Sequence, residues 1–262
     1  MAPAFKKGKK FYLATFFSEV PHMNKTLLSL SCAALLAGSI STAYAESDWS
    51  LSGNVALTTD YVFRGFTQSD ADPAIQGGLD LTHAGGFFAG VWASNVESDP
   101  AAPVNYDGSS MELDTYLGWS GKVADSNVDA TVKLLRYNYP GTNTDANNTN
   151  EVSLYLGYDF GPAAVSGGVN YSDDFYGAGD ATYWDVGVDI PVGQVTLALH
   201  YGVQDYDDDA NNDDYDDYKV GVSGEAVGLG LDLSYYGTGG VTGGCTNRTC
   251  DDRIVFTVSK SF

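Results

Sequence analysis

The sequence predicts an all-β fold, a transmembrane antiparallel β-barrel of about 12 strands with short periplasmic turns and long acidic extracellular loops. Three observations carry this. Apolar residues alternate with period 2 from Trp49 to the end of the chain, the connections alternate long and short, and aromatic residues gather at both ends of the strands.

The first element is an address. Residues 23–45, MNKTLLSLSCAALLAGSISTAYA, place Lys25 before an apolar stretch from Leu27 to about Ile40 and end on Ala43-Tyr44-Ala45 before Glu46. That order is a secretory signal peptide. Residues 1–22, with Lys6, Lys7, Lys9 and Lys10, read either as an upstream start or as a long N-terminal extension of that signal. Residues 46–262 are the expected barrel. Cleavage removes five lysines and one acid, leaving 217 residues with 8 bases against 33 acids, a net charge of −25.

The strands follow in order. The apolar face is Trp49, Leu51, Val55, Leu57 and Tyr61 in the first, then Ile75, Leu79 and Leu81; Phe87 to Val96 makes a strand of ambiguous face. Next come Met111, Leu113, Leu117, Trp119; Val128, Ala130, Val132, Leu134; Val152, Leu154, Leu156, Tyr158, Phe160; and Val165, Val169, Tyr171. The last five are Trp184, Val186, Val188, Ile190; Val195, Leu197, Leu199, Tyr201; Tyr218, Val220, Val222; Leu229, Leu231, Leu233, Tyr235; and Ile254, Phe256, Val258, Phe262. The count is twelve, or about 18 residues per strand and connection, which suits tilted membrane strands.

Alternation alone does not say which face meets lipid, but the connections do. FTQSDAD, SDPAAPVNYDGSS, PGTNTDANNTN, SDDFYGAGDA, DYDDDANNDDYDD and TGGVTGGCTNRTCDD are long; AGG, GKVADS, GP, PVGQ and EAVG are short, and the two kinds alternate. Long loops at one end and tight turns at the other are the pattern of outer-membrane barrels. Tyr61, Phe63, Tyr137, Tyr171, Tyr201 and Tyr235 fall next to long loops, and Trp49, Phe87, Trp119, Tyr158, Phe160 and Phe262 beside short turns or termini. They read as two interfacial girdles. The ending RIVFTVSKSF, with Phe262 terminal, resembles the signal by which the bacterial assembly machinery recognises outer-membrane proteins. Lys260 departs from it and can snorkel to the rim.

Composition excludes other classes. A net charge of −21, with no Lys or Arg cluster beyond residue 25, leaves no surface for nucleic acid. No apolar run after residue 40 approaches the ~20 residues of a membrane helix. An enzyme is not expected, because His83 lies beside a short turn and His200 faces the lumen without a Ser or Asp partner fixed by spacing.

The stretch from Leu51 to Glu97 resembles the opening of the TorF family of porins, also described as the Gcw_chp family of proteobacterial envelope proteins. Thr58 to Gln68 is similar to its TSDYVFRGxSQ stretch, Pro73 to Asp80 to PAxQGGxD, and Gly86 to Val96 to GxxxGxWxSNV. The resemblance implies an outer-membrane barrel and brings no catalytic residue.

If the apolar face meets lipid, the other face lines the lumen: Asp60, Asp80, Glu112, Asp114, Asp129, Glu151, Asp159, Asp185, Asp189, Asp217 and Asp232 against Arg64, Lys133, Lys219 and Arg253. Eleven acids to four bases point to cation preference. Arg64, with the parity of Asp60, either holds the rim through ion pairs or meets the permeant. Cys245 and Cys250 pair as a loop disulfide, or form a metal or redox pair without a third thiolate ligand. The segment 205–217 is either a solvated loop or a weak Ca2+ or Mg2+ site at carboxylates such as Asp207, Asp209 and Asp213; no other cofactor is implied. The expected partners are outer-membrane lipid, lipopolysaccharide, the assembly machinery through Phe262, and a small-molecule permeant. The function these point to is passive diffusion of small cationic or neutral hydrophilic solutes, the alternative being a non-conducting adhesion surface or scaffold.

Overall fold

A strand placed in hydrocarbon must pair all its backbone N–H and C=O groups with neighbours, and only a closed sheet leaves no edge. The computed structural model, which describes residues 48–97, 108–142, 147–207, 214–241 and 249–262, meets that requirement. The extension 1–22 and signal 23–45 lie outside the described residues.

In chain order the strands are β1 (Trp49–Thr58), β2 (Val62–Phe63), β3 (Phe66–Thr67), β4 (Ala74–His83), β5 (Phe87–Asn95), β6 (Met111–Lys122) and β7 (Val128–Tyr137). They continue with β8 (Thr149–Asp159), β9 (Ala164–Ser172), β10 (Ala181–Val192), β11 (Val195–Tyr206), β12 (Tyr215–Ala226), β13 (Leu229–Gly239) and β14 (Arg253–Ser261). Twelve of them form one closed barrel, and β2 and β3 form a separate two-stranded hairpin. All barrel neighbours are antiparallel, and β1 seals the barrel by pairing with β14 from Asn54↔Ser261 to Thr58↔Thr257. At that seam Gly53 N–H donates to Phe262 O and Phe262 N–H to Gly53 O, at 2.9 and 3.0 Å. Lys260 Nζ reaches Gly228 O at 2.8 Å, on the β12–β13 turn.

The barrel is inside out. On the outer face Leu57, Leu117 and Leu233 leave 60%, 56% and 54% of their surface exposed, while the inward Glu112, Glu151 and Gln204 leave 1%, 3% and 0%. A soluble barrel would reverse these values, because water penalises exposed leucine and a dry interior penalises carboxylate. The sequence-based face assignments hold for β6 and β8, and β5, left ambiguous by its sequence, turns Phe87 and Val91 outward and Trp92 inward.

The girdle of aromatics at the long-loop end is only partly as expected. Tyr171, Tyr201 and Tyr235 are exposed, but Tyr61 and Tyr137 are buried inside the barrel with Trp92, Leu135 and Tyr139, and Phe63 packs against them. Tyr137 shares the inward parity of Lys133 and Leu135, and Tyr61 and Phe63 are no longer on β1, which stops at Thr58. The long-loop half of the interior therefore contains an aromatic core.

The turn Ala226-Val227-Gly228-Leu229 closes the β12–β13 hairpin with two left-handed residues, Val227 at φ 52° and Gly228 at φ 75°. Such turns favour Asn or Asp at the first position, and a β-branched residue there is strained. Val227 is also 96% exposed, so no packing offsets the strain. Val227→Asn is expected to stabilise the barrel by about 1 kcal/mol, read as a higher urea midpoint after refolding into lipid vesicles. An unchanged or lower midpoint contradicts this account of the turn.

Candidate functional site

The site begins where β1 ends. Residues 59–73 do not extend outward as a loop; they fold into the barrel as the β2–β3 hairpin, with Arg64 and Gly65 at its tip. Both tip residues are left-handed, at φ 46° and 84°. A two-residue turn of this kind is ordinarily Asn-Gly or Asp-Gly, so Arg64 occupies a position whose backbone disfavours it. Gly65 is required by space as well as by φ, since a Cβ there would overlap Thr238 Cγ2 of β13 and lie 2.9 Å from Asp217 Cβ of β12.

The hairpin base is tied down by polar contacts. Asp60 takes Arg253 Nη1 of β14 at 2.6 Å on Oδ2 and the Thr67 hydroxyl at 2.6 Å on Oδ1. Ser69 Oγ accepts from Tyr61 N–H at 3.0 Å, and Gln68 N–H donates to Tyr61 O at 2.6 Å. Thr67 N–H reaches Thr249 O in the last long loop at 2.9 Å. One side of the hairpin is aromatic: Tyr61 meets Trp92 edge-on, Phe63 meets Tyr137, and Phe66 meets Tyr215, at centroid separations of 5.4, 5.7 and 4.9 Å.

Its tip crosses to the opposite wall. Arg64 Nη2 donates to Glu151 Oε2 of β8 at 2.5 Å and Nη1 to Gln204 Oε1 of β11 at 3.1 Å. The guanidinium carbon lies 4.2 Å from the centroid of Tyr183, 4.8 Å from Phe63 and 5.2 Å from Phe175. Burial opposes the Arg64 charge and the Glu151 carboxylate more than offsets it, so the guanidinium keeps its proton well above the ordinary arginine range. Below it, the Tyr183 hydroxyl donates to Asp217 Oδ2 at 2.7 Å, and His200 Nε2 lies 2.9 Å from that hydroxyl and 3.2 Å from Asp217 Oδ1. Gly202 makes room for this, since a Cβ there would overlap the Tyr183 hydroxyl.

The structure divides the sequence-predicted lumen residues into two groups. Asp60, Arg64, Glu112, Asp114, Glu151 and Asp185 collect toward the long-loop end, around the hairpin tip and base. Glu112 Oε2, Asp114 Oδ1 and Asp185 Oδ2 are buried without a hydrogen-bond partner among the described residues. Toward the short turns Asp80 accepts the Tyr116 hydroxyl at 2.5 Å, Asp129 pairs with Lys122 at 2.6 Å, and Lys219 lies 3.8 Å from Asp232. Lys133 and Asp189 are half-buried, on β7 and β10. Asp159 does not line the lumen; it is exposed and caps the β8–β9 turn through Gly161 N–H. Cys250 is disulfide-bonded, and Cys245 lies outside the described residues. So do Asp209 and Asp213, and among the described residues, which include Asp207, no group of three metal-ligating side chains forms.

Sequence reasoning missed Gln204, Tyr183 and Phe175 as partners of Arg64 and placed Arg64 on a strand. The signal was present, because Phe63-Arg64-Gly65-Phe66 is a two-residue turn between apolar residues. It also missed the Asp partner of His200, which comes from β12. His83 is a turn residue, accepting Gly85 N–H on Nδ1 and packing edge-on against Trp49.

The closed antiparallel barrel, apolar outside and polar within, resembles the bacterial outer-membrane porins in fold. The chain belongs to the family described as a bacterial protein of unknown function (Gcw_chp), whose model matches residues 42–262. Among solved structures it is similar in fold to the KdgM porin, with a TM-score of 0.54 at 9% identity over 80% of this chain and 99% of that one. It is similar also to the NanC porin, with a TM-score of 0.51 at 10% identity over 80% and 98%. A KdgM porin in complex with disordered oligogalacturonate gives 0.52 at 10% identity over 81% and 98%. No curated protein matches.

Removing one partner of a buried ion pair strands the other charge, at a cost of about 3–5 kcal/mol, whereas removing both is far milder. Glu151→Met and Arg64→Met are each expected to lower the urea midpoint markedly, and the double variant to recover much of the loss. A double variant whose loss equals the sum of the singles would show that the two side chains are not coupled.

Proposed function

We propose that this protein is an outer-membrane channel for passive diffusion of small hydrophilic solutes, favouring cationic and neutral ones. The observation that carries the reading is the sign of the interior. Among the described residues Arg64 lies on Glu151, Arg253 on Asp60, Lys122 on Asp129 and Lys219 near Asp232. Asp80, Glu112, Asp114, Asp185 and Asp217 also face inward with no Lys or Arg at ion-pair distance among the described residues, and a low-dielectric wall of that sign concentrates cations. An interior of this charge opposes a polyanion such as the oligogalacturonate of the KdgM complex. The resemblance of Thr58–Gln68, Pro73–Asp80 and Gly86–Val96 to TorF porins supports the same class.

One observation favours a second reading, a non-conducting barrel serving as adhesion surface or scaffold: the hairpin 59–73 spans the long-loop half of the lumen and is itself buried. Bilayer recordings decide between them. The channel reading expects conductance with a reversal potential of cationic sign under a KCl gradient. Anionic or absent selectivity refutes the charge argument, and absence of conductance in both the wild type and a variant lacking residues 60–71 removes the channel.

Orientation is tested separately. Protease applied to intact cells is expected to cut in 205–217 and to spare 191–194, and cleavage chiefly at 191–194 or 121–126 would invert the barrel.

A further inference from the structure

Five groups surround the Arg64 guanidinium: three belong to the barrel wall, Phe175 to the β9–β10 connection, and one to the hairpin. Glu151 Oε2 and Gln204 Oε1 accept its two terminal nitrogens, while the Tyr183 and Phe175 rings face its carbon at 4.2 and 5.2 Å. Only Phe63 travels with the tip. Glu151 is oriented from behind by the Tyr137 hydroxyl, 3.3 Å from its Oε1. Two acceptors on the terminal nitrogens of a fork and aromatic rings facing its carbon form a receptor for a planar, delocalised cation. Glu151, Gln204 and Tyr183 hold their places through barrel pairing, and Phe175 is held by the turn bonds of the β9–β10 connection.

The turn that delivers Arg64 is not one that arginine prefers. With φ at 46°, the backbone would suit Asn, Asp or Gly better. An observed strain of this kind points toward the side chain's task. The neighbouring wall adds a second observation: among the described residues Gln204 Nε2, wholly buried, has no partner, and neither has Asp185 Oδ2. The pocket's polar capacity exceeds what Arg64 uses.

We propose that this pocket is a binding site for solutes bearing a guanidinium group, and that Arg64 occupies it as a tethered competitor. A solute that takes Glu151 and Gln204 displaces the hairpin tip, and the hairpin returns when the solute leaves. The role as a permeant site rests on the channel reading above, but the binding itself does not.

The test uses the full-length barrel purified in detergent, with guanidinium chloride at low millimolar concentration as probe, and urea and NaCl at equal concentration as controls. Urea has the same planar shape without the charge. In Arg64→Ala the tethered competitor is gone, and guanidinium is expected to raise the thermal midpoint saturably where urea and NaCl do not. The wild type should respond at least about tenfold more weakly, because a tethered group competes at millimolar or higher effective concentration. Adding Glu151→Gln to Arg64→Ala should weaken the response roughly 10- to 100-fold, as expected for loss of a hydrogen bond to a charged group. If Arg64→Ala does not fold, Arg64→Lys replaces it, since an ammonium cannot hold both acceptors in one plane and should yield to guanidinium more readily than the wild type does. A response equal to that with urea or NaCl, or one indifferent to Glu151→Gln, overturns the proposal. Guanidinium binding without conductance removes the channel reading alone, and conductance without guanidinium binding removes the site alone.

Discussion

Everything in this molecule depends on the pairing of β1 with β14. Until that seam closes, two strand edges expose unpaired backbone groups to hydrocarbon, where each costs several kcal/mol. Once it closes, the sidedness of every residue is fixed by parity, because successive side chains on a strand point to opposite faces. The seam carries its own reinforcement in the two backbone hydrogen bonds between Gly53 and Phe262. From it follow both the apolar belt of leucine, valine and tryptophan and the concentration of carboxylates within.

Much of this was legible in the sequence, for a physical reason. In a membrane barrel the two sides of a strand meet opposite solvents, so the pattern Glu151-Val152-Ser153-Leu154-Tyr155-Leu156 can be read without knowing any contact. The strand count comes from that rule, and the inward placement of Glu112, Glu151 and Asp185 from it together with the sorting of long and short connections. Contacts across the lumen do not. Arg64 meets residues 87 and 140 positions away, and no local pattern encodes which wall the tip of a loop will touch. Parity also misled where a strand was extended too far: Tyr61 and Phe63 continue the odd-numbered series of β1, yet the chain turns inward after Thr59, the last residue of this stretch whose backbone bonds to β14.

The interior is divided by chemistry as well as by depth. Against β5 and β7 the hairpin presents rings to rings; against β8 and β14 it presents charge to charge, and on β11 the neutral Gln204 amide accepts from Arg64. An aromatic contact tolerates sliding, whereas a guanidinium held in plane by two oxygens does not. The aromatic side gives the hairpin adhesion, and the Asp60 and Arg64 pairs give it register. The same division explains the exposed Arg136, which has the outward parity of β7 and finds Asn138 and Asn150 at the rim instead of an interior acid.

The inward hairpin also fixes an order of events during assembly. Asp60 joins Arg253 across 193 residues of chain, and Arg64 reaches Gln204 across 140. Contacts so distant in sequence form only after the intervening loops have been closed, and here their partners sit on strands that are positioned only when the sheet is nearly complete. The cylinder is therefore built hollow and furnished afterwards. Docking of the hairpin is a late step, whereas the Arg64-Gly65 turn itself closes locally, within microseconds, and needs no strand to receive it.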